Sequence, residues 1–275
     1  MTKNLLSLLS IMSLFGLQSD LRADSVIYSQ YFDVPLSYYN GGSYYNISPG
    51  GDSQNFLGDE WSFYHESSPA TNPSQGRARI YKWASGQPNP DGVLVLDDNT
   101  SDYVYSLNEA ILTLDLSKFT DVSLSFWHYD SNDEENDFNL PTESHYTTQH
   151  IFRDGVSVSS NGQDWYVLTN FNQQDGQYGT YNLNISSLIN TIGNATKLAL
   201  NNQFQIKFQQ YDNVPHGSDG RKFDDIVVAG TMLPTPGDIS AVPEPASLWL
   251  MGIGMVLAYG FKRRQLLQAE TALST

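Results

Sequence analysis

The chain has 275 residues with 30 acidic and 14 basic side chains, a formal net charge of −16, and no cysteine. A surface this acidic repels nucleic acid and anionic lipid, which argues against both as partners. Without cysteine, thiol catalysis, cysteine-ligated zinc and iron–sulfur chemistry are excluded.

The amino end is predicted to be a secretory signal peptide. Lys3 gives a charged start, residues 5–17 form an apolar segment, and Ala23 supplies a small residue for cleavage. We therefore expect residues 1–23 to form a signal helix that is removed on export by the Sec pathway. An uncleaved signal anchor is the alternative.

Residues 24–241 are the expected mature body. They contain 27 acidic and 9 basic residues, a net charge of −18, which favours divalent cations and neutral or cationic partners. A solvated acidic face is the simpler explanation of the same charge. Frequent Tyr, Phe, Asn, Ser, Thr and Gly indicate strands and turns rather than helices. A body of this length buries an adequate core without disulfides.

The first third of the body gives irregular signals. Aromatic residues at 28–32 predict a first strand, and a second aromatic cluster occupies residues 56–64. Residues 38–53 are rich in Tyr, Asn, Gly and Ser, and they are predicted to be a long loop. Residues 77–83 predict another short strand.

From residue 93 onward the alternation of apolar and polar residues is clear. The clearest strand runs from Val122 to Tyr129, and one face of it carries Val122, Leu124, Phe126 and His128. Further strands are predicted at residues 93–96, 110–116, 155–159, 164–168, 178–185, 203–211 and 223–228. The acidic residues 130–143 are predicted to be a loop, and residues 186–192 one helical turn.

The turn signals complete the fold prediction. Ser160-Asn161-Gly162-Gln163 predicts a hairpin, because Asn-Gly accepts positive φ at both central turn positions. Eight to ten short strands with frequent turns predict an all-β protein, an antiparallel two-sheet sandwich in one domain at residues 24–230. Residues 231–241, with several Pro and Gly, are the predicted linker.

The carboxyl end has three parts in order. Pro243, Glu244 and Pro245 follow Val242, and the two prolines withhold backbone donors, so this stretch is an exposed hinge. Residues 246–261 carry no charge and, as a helix of about 1.5 Å per residue, span roughly 24 Å, slightly short of a ~30 Å hydrocarbon core. We expect them to form a short transmembrane helix.

A basic cluster follows this apolar segment: Lys262, Arg263 and Arg264. Such a cluster predicts that the terminal residues 265–275 stay cytoplasmic while the body lies outside the membrane. A permanent transmembrane anchor and a buried helix of a soluble domain are the alternatives.

The order of these three parts, residues 242–264, resembles the PEP-CTERM sorting signal of Gram-negative bacteria. The resemblance implies recognition by an exosortase, cleavage near the motif while the precursor is tethered in the inner membrane, and delivery to the cell surface or matrix. It also implies an organism that makes extracellular polysaccharide. The tail at residues 265–275 is longer than is usual for this signal.

The body resembles extracellular jelly-roll modules of the MAM and cleaved-adhesin type between residues 93 and 229. The resemblance rests on the order of four stretches at residues 110–117, 124–126, 156–165 and 223–228. It implies a jelly-roll sandwich that is used in adhesion or glycan contact and often carries a structural calcium ion. It also implies that Trp165 packs into the core.

Two groups of carboxylates are candidate calcium ligands, because Ca²⁺ takes 6–8 oxygen ligands. The first lies in the acidic stretch and comprises Asp130, Asp133 and Glu134, and the second comprises Asp97, Asp98, Asp224 and Asp225. Strand alternation sends Asp224 and Asp225 to opposite faces, so only one of them can face a given site. A solvated acidic loop is the alternative.

No catalytic motif stands out. The five histidines show no zinc spacing, no serine lies in a nucleophile elbow, and nothing singles out one carboxylate pair as a glycosidase site. His145 and His150 are interpreted as surface residues. Five aromatics could stack on sugar rings or pack in a core: Tyr38, Tyr39, Tyr44, Tyr45 and Trp61.

These observations favour a non-enzymatic, exosortase-processed protein of the cell surface or extracellular matrix, associated with exopolysaccharide or biofilm. The alternative is a calcium-dependent glycan-binding adhesin, and a polysaccharide-active hydrolase is the third hypothesis.

Overall fold

The computed structural model describes residues in both halves of the body. They are residues 24–33, 44–48, 57–68, 76–82, 92–97, 105–130, 140, 145–171, 178–192, 197–212 and 220–234. The predicted signal helix, the sorting signal, Asp98, Asp133 and Glu134 lie outside these ranges. The chain divides into two compact units, Met1–Met232 and Leu233–Thr275, and the first contains every strand named below.

The described part of the first unit is almost entirely β-structure, in two antiparallel sheets. Sheet A contains β1 (Ser25–Gln30), β2 (Tyr44–Ser48), β4 (Arg77–Tyr81), β5 (Val93–Asp97), β7 (Phe119–Asp130), β11 (Tyr178–Asn184) and β13 (Arg221–Met232). Sheet B contains β3 (Trp61–Ser68), β6 (Tyr105–Leu114), β8 (His145–Tyr146), β9 (Gly155–Ser159), β10 (Trp165–Thr169) and β12 (Phe204–Asp212). One helix, α1 (Ile185–Ile192), follows β11.

The strand order shows how distant parts of the chain meet. The strand order of sheet A is β11-β7-β13-β5-β4-β2. Strand β1 pairs with residues 226–230 of the long strand β13, whereas β5 pairs with residues 221–223. Sheet B runs β3-β6-β12-β9-β10-β8. Each paired strand is antiparallel to its neighbour, as the alternating sequence predicts.

The main core lies where the inward faces of the two sheets pack on each other. Phe126 of β7 is fully buried, and its ring lies 4.9 Å from that of Tyr181, 5.4 Å from Phe208 and 6.1 Å from Phe223, between centroids. These contacts join sheet A, which holds Phe126, Tyr181 and Phe223, to Phe208 in sheet B. The two sheets therefore form a sandwich, as predicted.

Local periodicity predicted the faces of the central strands correctly. Val122, Leu124, Phe126 and His128 are all fully buried, as are Phe204, Ile206 and Phe208 of β12. The period of two places these side chains on one face, and burial against the opposite sheet selects that face as the inward one.

Two predictions of local structure were wrong. Residues 38–53 are not one loop, because residues 44–48 form β2 by pairing with β4. The expected single turn at residues 186–192 is an eight-residue helix, begun by the Asn184 side chain, whose oxygen accepts a hydrogen bond from the Ser187 amide at 2.7 Å. The predicted Asn-Gly hairpin is confirmed by the antiparallel pairing of β9 with β10. Its loop has five residues, and positive φ occurs at Gly162 but not at Asn161.

Candidate functional site

The outer face of sheet B, which points away from the core, carries a group of charged and aromatic side chains. Cross-strand pairing places Tyr64 beside Glu109, and Glu109 beside Gln209. Lys207 lies two residues before Gln209 and pairs with Ser157 of β9. Because side chains alternate along each strand, all of these project from the same face.

Lys207 and Glu109 form a buried ion pair at the centre of this face. The Lys207 Nζ donates a hydrogen bond to Glu109 Oε1 at 3.0 Å, and both side chains are fully buried. Nζ also donates to the backbone carbonyl of Gln149 at 2.6 Å and lies 4.0 Å from the ring centroid of Trp165. Burial lowers the pKa of Lys207, and the Glu109 carboxylate partly offsets this effect.

His150 contacts the other oxygen of the same carboxylate. Its Nδ1 lies 2.7 Å from Glu109 Oε2, and its ring stacks on Tyr64 with centroids 3.4 Å apart. The Tyr64 hydroxyl donates to Glu66 at 2.8 Å, and burial together with this carboxylate raises the pKa of Tyr64 to about 12. Glu109 is thus held by one lysine and one histidine.

Residues 145–154, which we call the strap, cover this ion pair. Besides the bond from Lys207 to Gln149, the Gln209 side chain donates to the backbone carbonyls of Ile151 at 3.1 Å and Arg153 at 2.8 Å. Side chains of β12 therefore donate hydrogen bonds to backbone carbonyls of the strap that have no partner in a sheet.

The end of the strap is fastened to sheet A by a second buried ion cluster. Arg221 of β13 donates through Nη1 to Asp130 at 2.9 Å and through Nη2 to Asp154 at 3.1 Å. Asp154 also accepts the backbone amide of Tyr211 at 2.9 Å. Burial lowers the pKa of Arg221, but the two carboxylates raise it by a larger amount. The pKa of Arg221 therefore lies above its usual value.

The geometry of the outer face indicates that Lys207 and Glu109 hold the strap in place, and it does not favour a catalytic role for them. A carboxylate beside an imidazole is a common acid–base pair, but here the strap lies over Lys207 and Glu109 and both are fully buried. Lys207 and Glu109 were not predicted from the sequence, because polar residues that alternate with apolar ones along a strand are also typical of a solvated face.

The structure places two tryptophans that the sequence singled out. Trp165 is buried as predicted, with 1% exposure, but it lies on the outer face beside Lys207 and not in the core, whereas its neighbour Tyr166 belongs to the core. Trp61 packs in the core, which was the alternative to sugar contact, and its Nε1 donates a hydrogen bond to the Tyr28 hydroxyl at 2.6 Å. His145 is exposed as predicted, whereas His150 is half-buried against Glu109.

Two of the calcium candidates that the structure describes form ion pairs with arginine side chains. Asp97 is fully buried and forms ion pairs with Arg77, at 2.7 Å, and with Arg79. Asp130 pairs with Arg221. A carboxylate already neutralised by a guanidinium is a poor ligand for a cation, so these two residues do not fit a calcium ion.

The last pair of candidates is separated by a backbone irregularity. The register of β13 against β7 shifts between Asp224 and Val227, and Asp225 has a positive φ of 49°. Asp224 is buried and Asp225 exposed, in agreement with the predicted opposite faces. Within the described ranges, no three His, Asp or Glu side chains come together as a metal-ligand set. The calcium site stays a prediction.

An aromatic strip occupies the outer face of sheet A. The rings of Trp127 and Tyr129 are nearly parallel with centroids 6.2 Å apart, and Tyr178 of β11 lies 6.4 Å from Trp127. Lys222 lies 4.9 Å from the Tyr129 ring. Tyr178 is 59% exposed, whereas Trp127 is 6% exposed. Sequence reasoning singled out other aromatics for sugar contact, because alternation alone cannot say which face is outward.

The residues of the predicted sorting signal lie outside the described ranges, but they are similar to a known family. Residues 241–264 match the PEP-CTERM protein-sorting motif. The match includes all the residues that the sequence predicted for this role: Val242, Pro243, Glu244, Pro245, Lys262, Arg263 and Arg264. The prediction of a PEP-CTERM signal is confirmed. It implies export and a membrane-anchored precursor that an exosortase processes.

Solved structures give remote similarities to the body. A cyclase from Fischerella sp. TAU aligns over 78% of this chain and all of its own, with 13% identity and a TM-score of 0.44. The xylan-binding domain of CBM 22 aligns over 76% and 97%, with 6% identity and a TM-score of 0.36. The family 11 carbohydrate-binding module from Clostridium thermocellum aligns over 64% and 92%, with 15% identity and a TM-score of 0.33.

These three similarities are too remote to indicate a function, and none of the three structures is a MAM module. No curated protein matches the chain. As for the membrane, the described residues include no helix of sufficient length and apolarity to cross it.

Proposed function

We propose that this protein is a non-enzymatic component of the cell surface or extracellular matrix, retained among exopolysaccharides after an exosortase has processed it. The observation that carries this proposal is the match of residues 241–264 to the PEP-CTERM sorting motif, which follows the β-sandwich body in the sequence. The biofilm of a Gram-negative bacterium is the setting that we propose.

The chemistry of the tail supports a transient stay in the membrane. Sixteen uncharged residues, 246–261, are followed by the cations Lys262, Arg263 and Arg264. Such an apolar segment partitions into lipid, and the cations hold its end at the cytoplasmic surface. The rigid stretch Pro243-Glu244-Pro245 keeps the preceding backbone extended, which makes it accessible to a processing enzyme.

The body supports a role in contact rather than turnover. In the sandwich, which we propose to be a jelly roll, the strap covers the fully buried Glu109 carboxylate, and the strap itself contributes the half-buried His150 that contacts it. Its net charge of −18 over residues 24–241 suits neutral polysaccharide better than anionic polymer.

A glycan-binding adhesin is the second candidate, because the aromatic strip of sheet A includes the exposed ring of Tyr178. Aromatic faces stack on the apolar faces of sugar rings. We keep structural calcium as a proposal for this candidate. The remaining ligand candidates are Asp98, Asp133, Glu134 and one of the pair Asp224 and Asp225.

The proposal is tested by following the full chain in a host that has an exosortase. We expect the protein to reach the cell exterior in a processed form, and a variant that lacks residues 242–275 to lose this destination. Exosortase deletion should trap the unprocessed chain in the inner membrane. A variant that lacks only residues 265–275 is the matched control, and it should still be processed.

The two outcomes of this experiment are separable. If the chain without residues 242–275 still reaches its usual place outside the cell, the sorting role of the tail is wrong. If the full chain is processed equally well without the exosortase, another protease reads Pro243-Glu244-Pro245, and the proposal fails at that step.

A further inference from the structure

A second irregularity in β7 lies far from the strap. Asp121 has a φ of 53°, in the left-handed region that residues other than glycine rarely adopt. The pairing of β7 with β13 shifts there: Thr120 faces Thr231 and Ser123 faces Ala229, so that two residues of β7 oppose Gly230. This is a β-bulge, a feature that re-aims side chains and is common beside binding sites.

The bulge borders an open cleft of about 290 Å³. Its lining includes four polar residues: Thr120, Asp121, Ser186 and Asn190. The apolar residues of the lining are Ile189, Ala199 and Leu200. Small-molecule sites likewise combine a few polar groups with apolar residues, and the volume lies just below the usual ~300–1,000 Å³.

The polar groups of the cleft are positioned by the protein. The Thr120 hydroxyl donates to Asp121 Oδ2 at 3.1 Å, which orients the carboxylate. Ser186 Oγ accepts a hydrogen bond from the backbone amide of Val122 at 2.8 Å. The Ser186 hydroxyl proton can therefore be donated to a ligand. The lining therefore includes a hydroxyl donor and a carboxylate acceptor, which suits a ligand whose hydroxyls both donate and accept.

We propose that this cleft binds a single neutral sugar ring, such as the terminal unit of an uncharged polysaccharide. The inference rests on the proposed association with polysaccharide and deepens it. The ring's hydroxyls would bond Asp121 and Ser186, and its C–H face would lie on Ile189 and Leu200. The carboxylate and the acidic body repel phosphate and uronic acid, so anionic sugars are excluded.

The backbone strain at Asp121 supports a functional reason for the side chain. Glycine adopts this φ without a steric cost, and it is the usual residue at the left-handed position of a bulge. Aspartate accepts this conformation more readily than most other residues, and at this position it adds a carboxylate to the lining of the cleft. Asp121→Gly should therefore remove the ligand contact while leaving the fold intact.

The test uses the full chain purified in detergent, without added calcium, and titrates sugars by calorimetry and by ligand-observed NMR. The panel contains the methyl glycosides of glucose, galactose and mannose, N-acetylglucosamine, glucuronic acid, and an uncharged polymer ending in whichever sugar binds. We expect at least one neutral sugar to bind, and glucuronic acid to bind at least tenfold more weakly. The polymer should compete for the same site.

Asp121→Gly should weaken binding at least tenfold, while its Tm stays within about 2 °C of the wild-type value or rises above it. Asp225→Gly is the matched control: Asp225 also has positive φ and is exposed, and it does not line the cleft. Its binding should equal that of the wild type.

Three results would overturn the proposal: no neutral sugar of the panel binds, glucuronic acid binds as well as the neutral sugars, or Asp121→Gly binds like the wild type. None of them touches the sorting proposal, because export and processing are read from the location of the chain and not from the cleft.

Discussion

Replacing Lys207 by Met tests whether the strap is fastened by a buried ion pair. Methionine keeps most of the volume beside the Trp165 ring but removes the charge, which leaves the fully buried Glu109 carboxylate without its lysine. Removing one partner of a buried pair costs about 3–5 kcal/mol, because the other charge stays desolvated. For a domain of this size the loss lowers Tm by roughly 6–20 °C.

The assay is thermal unfolding of the full chain, followed by tryptophan fluorescence, together with hydrogen exchange of the strap. The double variant Lys207→Met/Glu109→Gln should be more stable than the sum of its two single variants predicts, by about 1–3 kcal/mol, because both charges are then gone. In the single variant, exchange at residues 149–153 should accelerate, since the bond to the Gln149 carbonyl is lost.

Lys197→Met is the matched control, because Lys197 is exposed. Its effect should stay within about 0.5 kcal/mol, as is usual for a surface substitution. If Lys207→Met is no more costly than this control, or if the double variant shows no coupling, Lys207 and Glu109 are not a buried pair and the strap is held by other contacts.

Three further predictions follow from burial and charge. Burial lowers the pKa of His65, so the folded protein favours its neutral form. The free energy of unfolding should therefore fall as the pH drops below about 6.5 toward the lowered pKa. His65→Asn should reduce this pH dependence, measured by urea unfolding at pH 7.5 and 5.5. Phe126→Ala should cost about 3–5 kcal/mol, and Phe126→Leu clearly less, because the ring is fully buried among three others; equal costs would contradict the packing. Calcium at millimolar concentration should raise Tm and EDTA should reverse the rise, since a ligand of the native state stabilises it; an unchanged Tm would count against the proposed site.

The fold was predictable to the extent that its signals are local. Val122, Leu124 and Phe126 alternate with polar residues, and a strand with one buried face follows from that period alone. Strand β2 was missed because its residues, Tyr44–Ser48, look like the loop around them. It becomes a strand only through pairing with β4, so its cause lies outside its own sequence.

The candidate sites depended on contacts that no local pattern carries. Asp130 was predicted as a metal ligand from the spacing of acidic residues, and Asp97 from the resemblance to jelly-roll modules. In the structure Asp97 forms ion pairs with Arg77 and Arg79, and Asp130 forms one with Arg221. The arginines come from other strands, 91 residues away in the case of Asp130. Acidic residues are frequent in this chain, so spacing among them carries little information.

The amino-acid sequence by itself determined the sorting address and the alternating strands, because a terminal Pro-Glu-Pro stretch, an apolar segment and a basic cluster act in order along the chain. Only the tertiary structure decided which side of each sheet is covered and by what. Lys207 meets Glu109 across 98 residues, and Trp165 lies outside the core, because strand register and the path of the strap bring these groups together. Register is a property of paired strands, and neither strand encodes it alone.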